Sequence, residues 1–149
     1  MKDKKINTAI LLIRIMVGFI FLSEGIQKFL YPNTLGVGRF IKTGIPAPEL
    51  LAPFVGTVEI VFGILLLIGL LTRVASIPLI INISVAIIST KIPILISEGF
   101  WKMAHEERTD LSMLLGSIFL LIVGSGNISL DYFIHRSKSG KDERIDKKI

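Results

Sequence analysis

Four long apolar runs constrain this chain more than any other feature. They cover residues 6–30, 50–71, 74–96 and 111–128, and the segments between them hold most of the charge and proline. A helix needs roughly 17–25 predominantly apolar residues to cross a bilayer, and each run is long enough. The hydrophobic share of 51% and the mean hydropathy of +0.69 agree with this pattern. We therefore predict an all-α fold, a membrane-spanning four-helix bundle.

The basic residues predict how the bundle is oriented. Three lysines precede the first run, and six of the 17 Lys and Arg lie beyond Asp131. By the positive-inside rule both termini of this multi-pass chain are expected in the cytoplasm. The first run carries charges and lacks a small-x-small cleavage site, so it is expected to span the membrane and not to be a signal peptide. We predict a transmembrane domain over residues 1–136 and a polar cytoplasmic tail over 137–149.

The connections predict where the helices end. The short polar turn Thr72-Arg73 makes the second and third spans a tight antiparallel hairpin. Lys91 and Pro93 mark the far end of the third span, and the capping pair Thr109-Asp110 begins the fourth. The fourth span ends in the glycine-rich segment 124–127, and the loop 31–49 is expected to hold a short interfacial helix.

Composition excludes several classes of site. The chain has no cysteine, which removes disulfides, iron–sulfur clusters and thiolate metal sites, and its two separated histidines predict no metal site. The net charge of +5 comes from residues concentrated at the termini and not from a basic stripe. We therefore expect the lipid bilayer and its anionic headgroups as partners, and no nucleic acid.

Charged residues within the spans are the candidates for a functional site. Each costs at least ~2.5–3.5 kcal/mol to insert into a bilayer, so its presence needs an explanation. At helical spacing one stripe of the first span contains two charges among small and aromatic residues, with Glu24 on its flank: Arg14, Gly18, Phe21, Gly25 and Lys28. In the second span Glu59 lies between Gly56 and Gly63 on a similar stripe. Glycines beside charges indicate faces that pack against other helices.

The depths of these residues predict an ion pair between the first two spans. Counting from the cytoplasmic side, Arg14 lies ~12 Å and Glu59 ~18 Å into the bundle, a gap that an extended arginine can bridge. The pair has two interpretations: a structural contact that fixes helix register, or a site where Glu59 binds a substrate or carries a proton.

Four further charges are expected nearer the outer surface. They predict a polar vestibule open to the outside and lined by Glu24, Lys28, Lys91 and Asp110. The alternative interpretation is that the lysines extend to the interface and that Asp110 caps a helix.

Three segments resemble signatures of the DoxX-like family of small membrane proteins. They are the first-span stripe from Arg14 to Lys28-Phe29, the second-span stripe Gly56-x2-Glu59-x3-Gly63 with the following 69–73 turn Gly-Leu-Leu-Thr-Arg, and the 124–131 segment Gly-Ser-Gly-Asn-Ile-Ser-Leu-Asp. They occur in the family's order and extend over residues 6–131. The resemblance implies a four-helix inner-membrane protein, with family carboxylates near the start of the fourth helix falling between Glu106 and Asp110.

The resemblance also implies a functional class. Its relatives include a subunit associated with thiosulfate:quinone oxidoreduction and components of membrane-bound oxidoreductase assemblies. We therefore expect a membrane subunit that binds a quinone or a small sulfur-containing substrate and works with a redox partner subunit, as a single chain or a homo-oligomer. No cofactor is encoded by a motif, and quinone is the expected ligand. Two alternatives stay open: a small-molecule or proton-coupled transporter in which Glu59 changes protonation, and a non-catalytic scaffold.

Overall fold

The computed structural model describes residues 2–137, with side chains from residue 4 onward, and every regular element in this part of the chain is helical. The five main helices are α1 (Lys2–Leu30), α2 (Val37–Lys42), α3 (Pro48–Ile68), α4 (Thr72–Glu98) and α5 (Phe100–Val123). A further helix begins at residue 130 and continues to residue 137. The predicted all-α class is confirmed, and α2 is the short helix expected between the first two spans. Residues 138–149 of the predicted tail lie outside the described residues.

The hairpin between the second and third predicted spans is confirmed. Gly69 ends α3 with φ 71°, a left-handed conformation that glycine adopts without steric cost. Leu71 also has a positive φ of 50°, and α4 begins at the next residue. Because the three residues Gly69, Leu70 and Leu71 reverse the chain, α3 and α4 run antiparallel, and Thr72-Arg73 begins α4 instead of forming the turn.

The helix cap predicted at Thr109-Asp110 is wrong. α4 passes through Lys91 and Pro93 and ends only at Glu98, and Gly99 alone separates it from α5. Thr109 and Asp110 lie inside α5 and cap nothing. The physical reason is that residues 100–108 include several strong helix formers and no glycine or proline, whereas Gly99 adopts φ 86°. The predicted stop at the other end is confirmed, because α5 ends at Val123 before Gly124.

Small residues bring α1 and α3 close together. A methyl group added to Gly18 would lie 2.9 Å from the carbonyl oxygen of Gly63, and one added to Gly25 would lie 2.7 Å from that of Gly56. Both separations are too short for carbon against oxygen, so larger residues would push the helices apart. The glycine stripes therefore pack as predicted.

The bundle has an apolar core on its inner side. It is centred on fully buried side chains from α1, α3, α4 and α5: Val17, Phe21, Leu66, Leu79 and Leu120. The outward faces of the same helices expose large aliphatic and aromatic side chains such as Leu12, Phe19 and Ile88. Large apolar side chains on both the inner and the outer faces are expected of helices that are surrounded by lipid.

Within residues 2–137, three helices are long and apolar enough to cross a membrane, namely α3, α4 and the segment Lys4–Leu30 of α1. α5 has 24 residues, but polar side chains occupy most of its first half. The fourth span and the cytoplasmic position of both termini therefore stay predictions.

Candidate functional site

A cavity of about 550 Å³ lies between the helices in the half of the bundle that contains α2. Apolar side chains from α3 and α4 form most of its wall, including Val55, Val58 and Ile83. Phe40 of α2 lies at the same cavity, and Met113 extends into the wall from α5. Its size is in the range of sites that enclose small organic ligands.

The main polar feature of the cavity is a network centred on Glu59. Lys28 Nζ lies 2.6 Å from Glu59 Oε2, and Asn82 Nδ2 donates a hydrogen bond of 2.7 Å to Glu59 Oε1. The three residues come from α1, α3 and α4, and Glu59 is only 5% exposed. Both oxygens of the carboxylate are thus occupied, so Glu59 holds the lysine and the amide in fixed positions on the cavity wall.

A second ion pair joins α4 and α5. Lys91 Nζ lies 3.0 Å from Asp110 Oδ2 and donates a hydrogen bond of 2.9 Å to the carbonyl oxygen of Glu106. Lys91 is 7% exposed, so its ammonium is satisfied by protein groups and does not extend to the interface. Asp110, predicted as a helix cap, is instead the counter-ion of a buried lysine.

Two charged side chains at the cavity have no partner in the part of the chain that the structure describes. The carboxylate of Glu24 and the guanidinium of Arg39 both line the cavity and form no hydrogen bond or ion pair with a described residue. The predicted vestibule is thus assembled in part: Glu24, Lys28 and Asp110 line one cavity together with Glu59, while Lys91 contributes through Asp110. What these residues do functionally is still a prediction.

The predicted pair between Arg14 and Glu59 is wrong. The Arg14 guanidinium donates four hydrogen bonds to main-chain carbonyl oxygens, at 2.9 Å to Leu66, 3.1 Å to Leu67, 2.7 Å to Ser125 and 2.8 Å to Ile128. The first two acceptors lie in the last turn of α3, where carbonyl groups lose their regular helical partners, although the Leu66 carbonyl also accepts the N–H of Gly69 at 3.1 Å. The other two lie in the segment that follows α5. Arg14, which is 2% exposed, therefore joins the end of α3 to the segment that follows α5.

Helix geometry explains which charges meet. Since Gly25 lies opposite Gly56 and Gly18 opposite Gly63, Glu59 lies about eight residues from the level of Arg14, or ~12 Å along the axis. Side chains on a helix lean toward its N-terminus. Because α1 and α3 are antiparallel, the side chains of Lys28 and Glu59 lean toward each other, whereas those of Arg14 and Glu59 lean apart.

Sequence reasoning missed two residues of the site. Asn82 is a strongly polar side chain in the middle of the apolar run of α4, and this isolated amide was a signal that the run has an inward face. Arg39 gave no such signal, because its sequence neighbours place it in a loop. Its position at the cavity follows only from the way α2 folds back over α3.

The helices, the lipid-facing exterior and the buried charges define a helical membrane protein. The DoxX family profile matches residues 9–92, more than half of the chain. The chain belongs to the DoxX family, as the resemblance of its helix stripes implied.

Two curated relatives are similar over most of their length. The uncharacterized membrane protein Rv3486 of Mycobacterium tuberculosis (strain ATCC 25618 / H37Rv) is 57% identical over 129 residues, which cover 83% of this chain and 79% of the relative. The protein named putative oxidoreductase CatD of Bacillus subtilis (strain 168) is 29% identical over 138 residues, covering 91% and 94%. No solved structure matches the chain.

Proposed function

We propose that the cavity binds the head group of a quinone and that the chain is the membrane subunit of an oxidoreductase assembly. The observation that carries this proposal is an apolar cavity on whose wall a few polar donors converge. Lys28 has three N–H donors and Asn82 has two, and Glu59 accepts one from each. Each therefore keeps a donor for the carbonyl oxygen of a quinone, while the apolar wall accommodates the ring.

The electron-transfer partner in this proposal is another subunit. The chain has no cysteine to supply a thiol or a cluster ligand. The word oxidoreductase in the name of the Bacillus subtilis relative supports an association with redox chemistry. The cavity of this chain would position the quinone, and the partner would carry the group that exchanges electrons with it.

The proposal includes a topology. We place α5 as the fourth span because it packs antiparallel to α4 and its second half is apolar. Both termini then lie in the cytoplasm of a bacterial cell, with the cavity in the outer half of the inner membrane. A reporter fused after residue 149 should be active on the cytoplasmic side, and periplasmic activity would overturn this orientation.

A binding titration tests the quinone site. Purified protein in nanodiscs is titrated with a short-chain quinone, and saturable binding is expected for the wild type. Asn82→Leu removes one donor and leaves Glu59 with an unmatched oxygen, so affinity should fall about tenfold or more. Ser84→Ala is the matched control, because the Ser84 hydroxyl bonds only the Ile80 carbonyl of its own helix. Absence of saturable binding to the wild type would refute the proposal.

Proton-coupled transport is the second candidate, because Glu59 is a buried carboxylate within a membrane-spanning helix. Transport is distinguished from quinone binding by measuring solute uptake into liposomes that contain the wild type or Glu59→Gln. Solute uptake that the substitution abolishes would favour transport. Absence of both quinone binding and solute uptake in the wild type would favour a scaffold.

A further inference from the structure

The cavity has an opening toward lipid. Three of the side chains that line it also lie on the lipid-facing surface: Phe54 of α3 is 62% exposed, Ile81 of α4 is 60% exposed and Val85 of α4 is 50% exposed. A side chain can belong to both surfaces only where the cavity reaches the outside of the bundle. We call this gap between α3 and α4 the α3–α4 portal, and define it by Phe54, Ile81 and Val85.

The packing of the helices explains why the portal lies there. α3 packs closely on α1 through the glycine stripes, and α4 packs closely on α5, whereas α3 and α4 contact each other more sparsely. The hydrogen bond from Asn82 to Glu59 is a polar bridge between α3 and α4 at the cavity. The portal residues are neighbours of this bridge along α3 and α4, and all three are apolar.

The polar groups lie inside and the apolar ones at the opening. Lys28 and Glu59 have side chains only 10% and 6% exposed, and they form the inner wall. A molecule that fits this arrangement has a polar head directed inward and a hydrocarbon part directed outward through the portal. A cavity of about 550 Å³ has room for a substituted ring but not for a long chain in addition.

We propose that the ligand is an amphiphile with a long hydrocarbon tail, that it enters from the bilayer through the α3–α4 portal, and that its tail stays in the portal while its head is bound. This inference rests on the proposed quinone site and deepens it, because it assigns the ligand to the lipid-soluble, prenyl-tailed class. A water-soluble ligand would instead reach the cavity past Arg39 and Thr43, without crossing the portal.

Blocking the portal tests this inference. Val85→Trp places an indole in the gap, and Ile81→Trp does the same from the preceding turn, so that either variant keeps the test valid if the other does not fold. Leu12→Trp is the matched control: Leu12 is 62% exposed on α1 and does not line the cavity. Folding of each variant is checked by circular dichroism and by gel filtration in detergent.

Two probes are titrated against each variant in nanodiscs, a tailless benzoquinone and the same ring with a decyl tail. The portal variants should weaken binding of the tailed probe by about tenfold, because the indole occupies the gap that the tail needs. Binding of the tailless probe, and binding of both probes to the Leu12→Trp control, should be unchanged. Equal affinity for the tailed probe in wild type and both portal variants would overturn the portal while leaving the quinone site intact. Failure of both probes to bind the wild type would refute the quinone site itself.

Discussion

Replacing Arg14 by methionine should destabilise the protein without altering its ligand site. The guanidinium makes four hydrogen bonds to main-chain carbonyls at 2.7–3.1 Å, and the residue is 2% exposed. Hydrogen bonds between membrane helices average about 0.6 kcal/mol, and charge-assisted ones reach about 1.5–3 kcal/mol in soluble proteins. Four such bonds, with acceptors left unpaired after the substitution, place the loss at about 3–5 kcal/mol.

The loss is measured as the free energy of unfolding in mixed micelles, by equilibrium titration with a denaturing detergent. Arg108→Met is the matched control, because the Arg108 side chain is exposed and makes no hydrogen bond or ion pair with a described residue, while its main-chain carbonyl, which accepts from Ser112, is unchanged by the substitution. Its effect should stay within about 0.5 kcal/mol. A double-mutant cycle with Glu59→Gln should show no coupling between the two residues. A loss below about 1 kcal/mol for Arg14→Met, or strong coupling to Glu59, would refute the structural role assigned to Arg14.

Three further substitutions have defined outcomes. Asp131→Ala removes the carboxylate that accepts a hydrogen bond of 2.9 Å from the first backbone N–H before α4, and should cost about 1 kcal/mol of unfolding free energy by the same titration. Gly25→Leu inserts a side chain where even a methyl group lies 2.7 Å from the carbonyl oxygen of Gly56, so thermal unfolding monitored by circular dichroism should shift to markedly lower temperature; an unchanged transition would contradict the close packing of α1 and α3. Lys91→Met leaves Asp110 without its counter-ion and should cost about 3 kcal/mol, whereas the double replacement with Asp110→Leu should recover most of this loss; failure to recover would contradict the ion pair.

The sequence predicted the helices better than it predicted the contacts. Apolar runs and glycine stripes follow from helical periodicity, and they placed the buried faces of α1 and α3 correctly. The start of α5 was misplaced because Thr109-Asp110 is a capping signal only where a helix begins, and Gly99 is the stronger interruption. Capping residues and glycines are competing local signals for a helix end, and the packing of α4 against α5 determines which of them is used.

The wrong partner for Glu59 has a different origin. Depth counted from the helix ends places Arg14 within reach of Glu59, but depth alone does not include the direction in which the side chains lean. That direction takes Lys28 to Glu59 and Arg14 to the end of α3. Asn82 was accessible from the sequence as an isolated amide, whereas the position of Arg39 depends on a chain reversal that no local pattern specifies.

Photoaffinity labelling tests the placement of the ligand most directly. The wild type in nanodiscs is irradiated with an azido-substituted quinone, and the modified peptides are identified by mass spectrometry. Adducts should fall within residues 24–28, 54–59 or 78–90, disappear with excess unlabelled quinone, and decrease strongly in Asn82→Leu. Adducts that are not displaced by unlabelled quinone, or that lie only along the opposite groove of residues 71–74 and 123–135, would contradict a quinone site at the network of Lys28, Glu59 and Asn82.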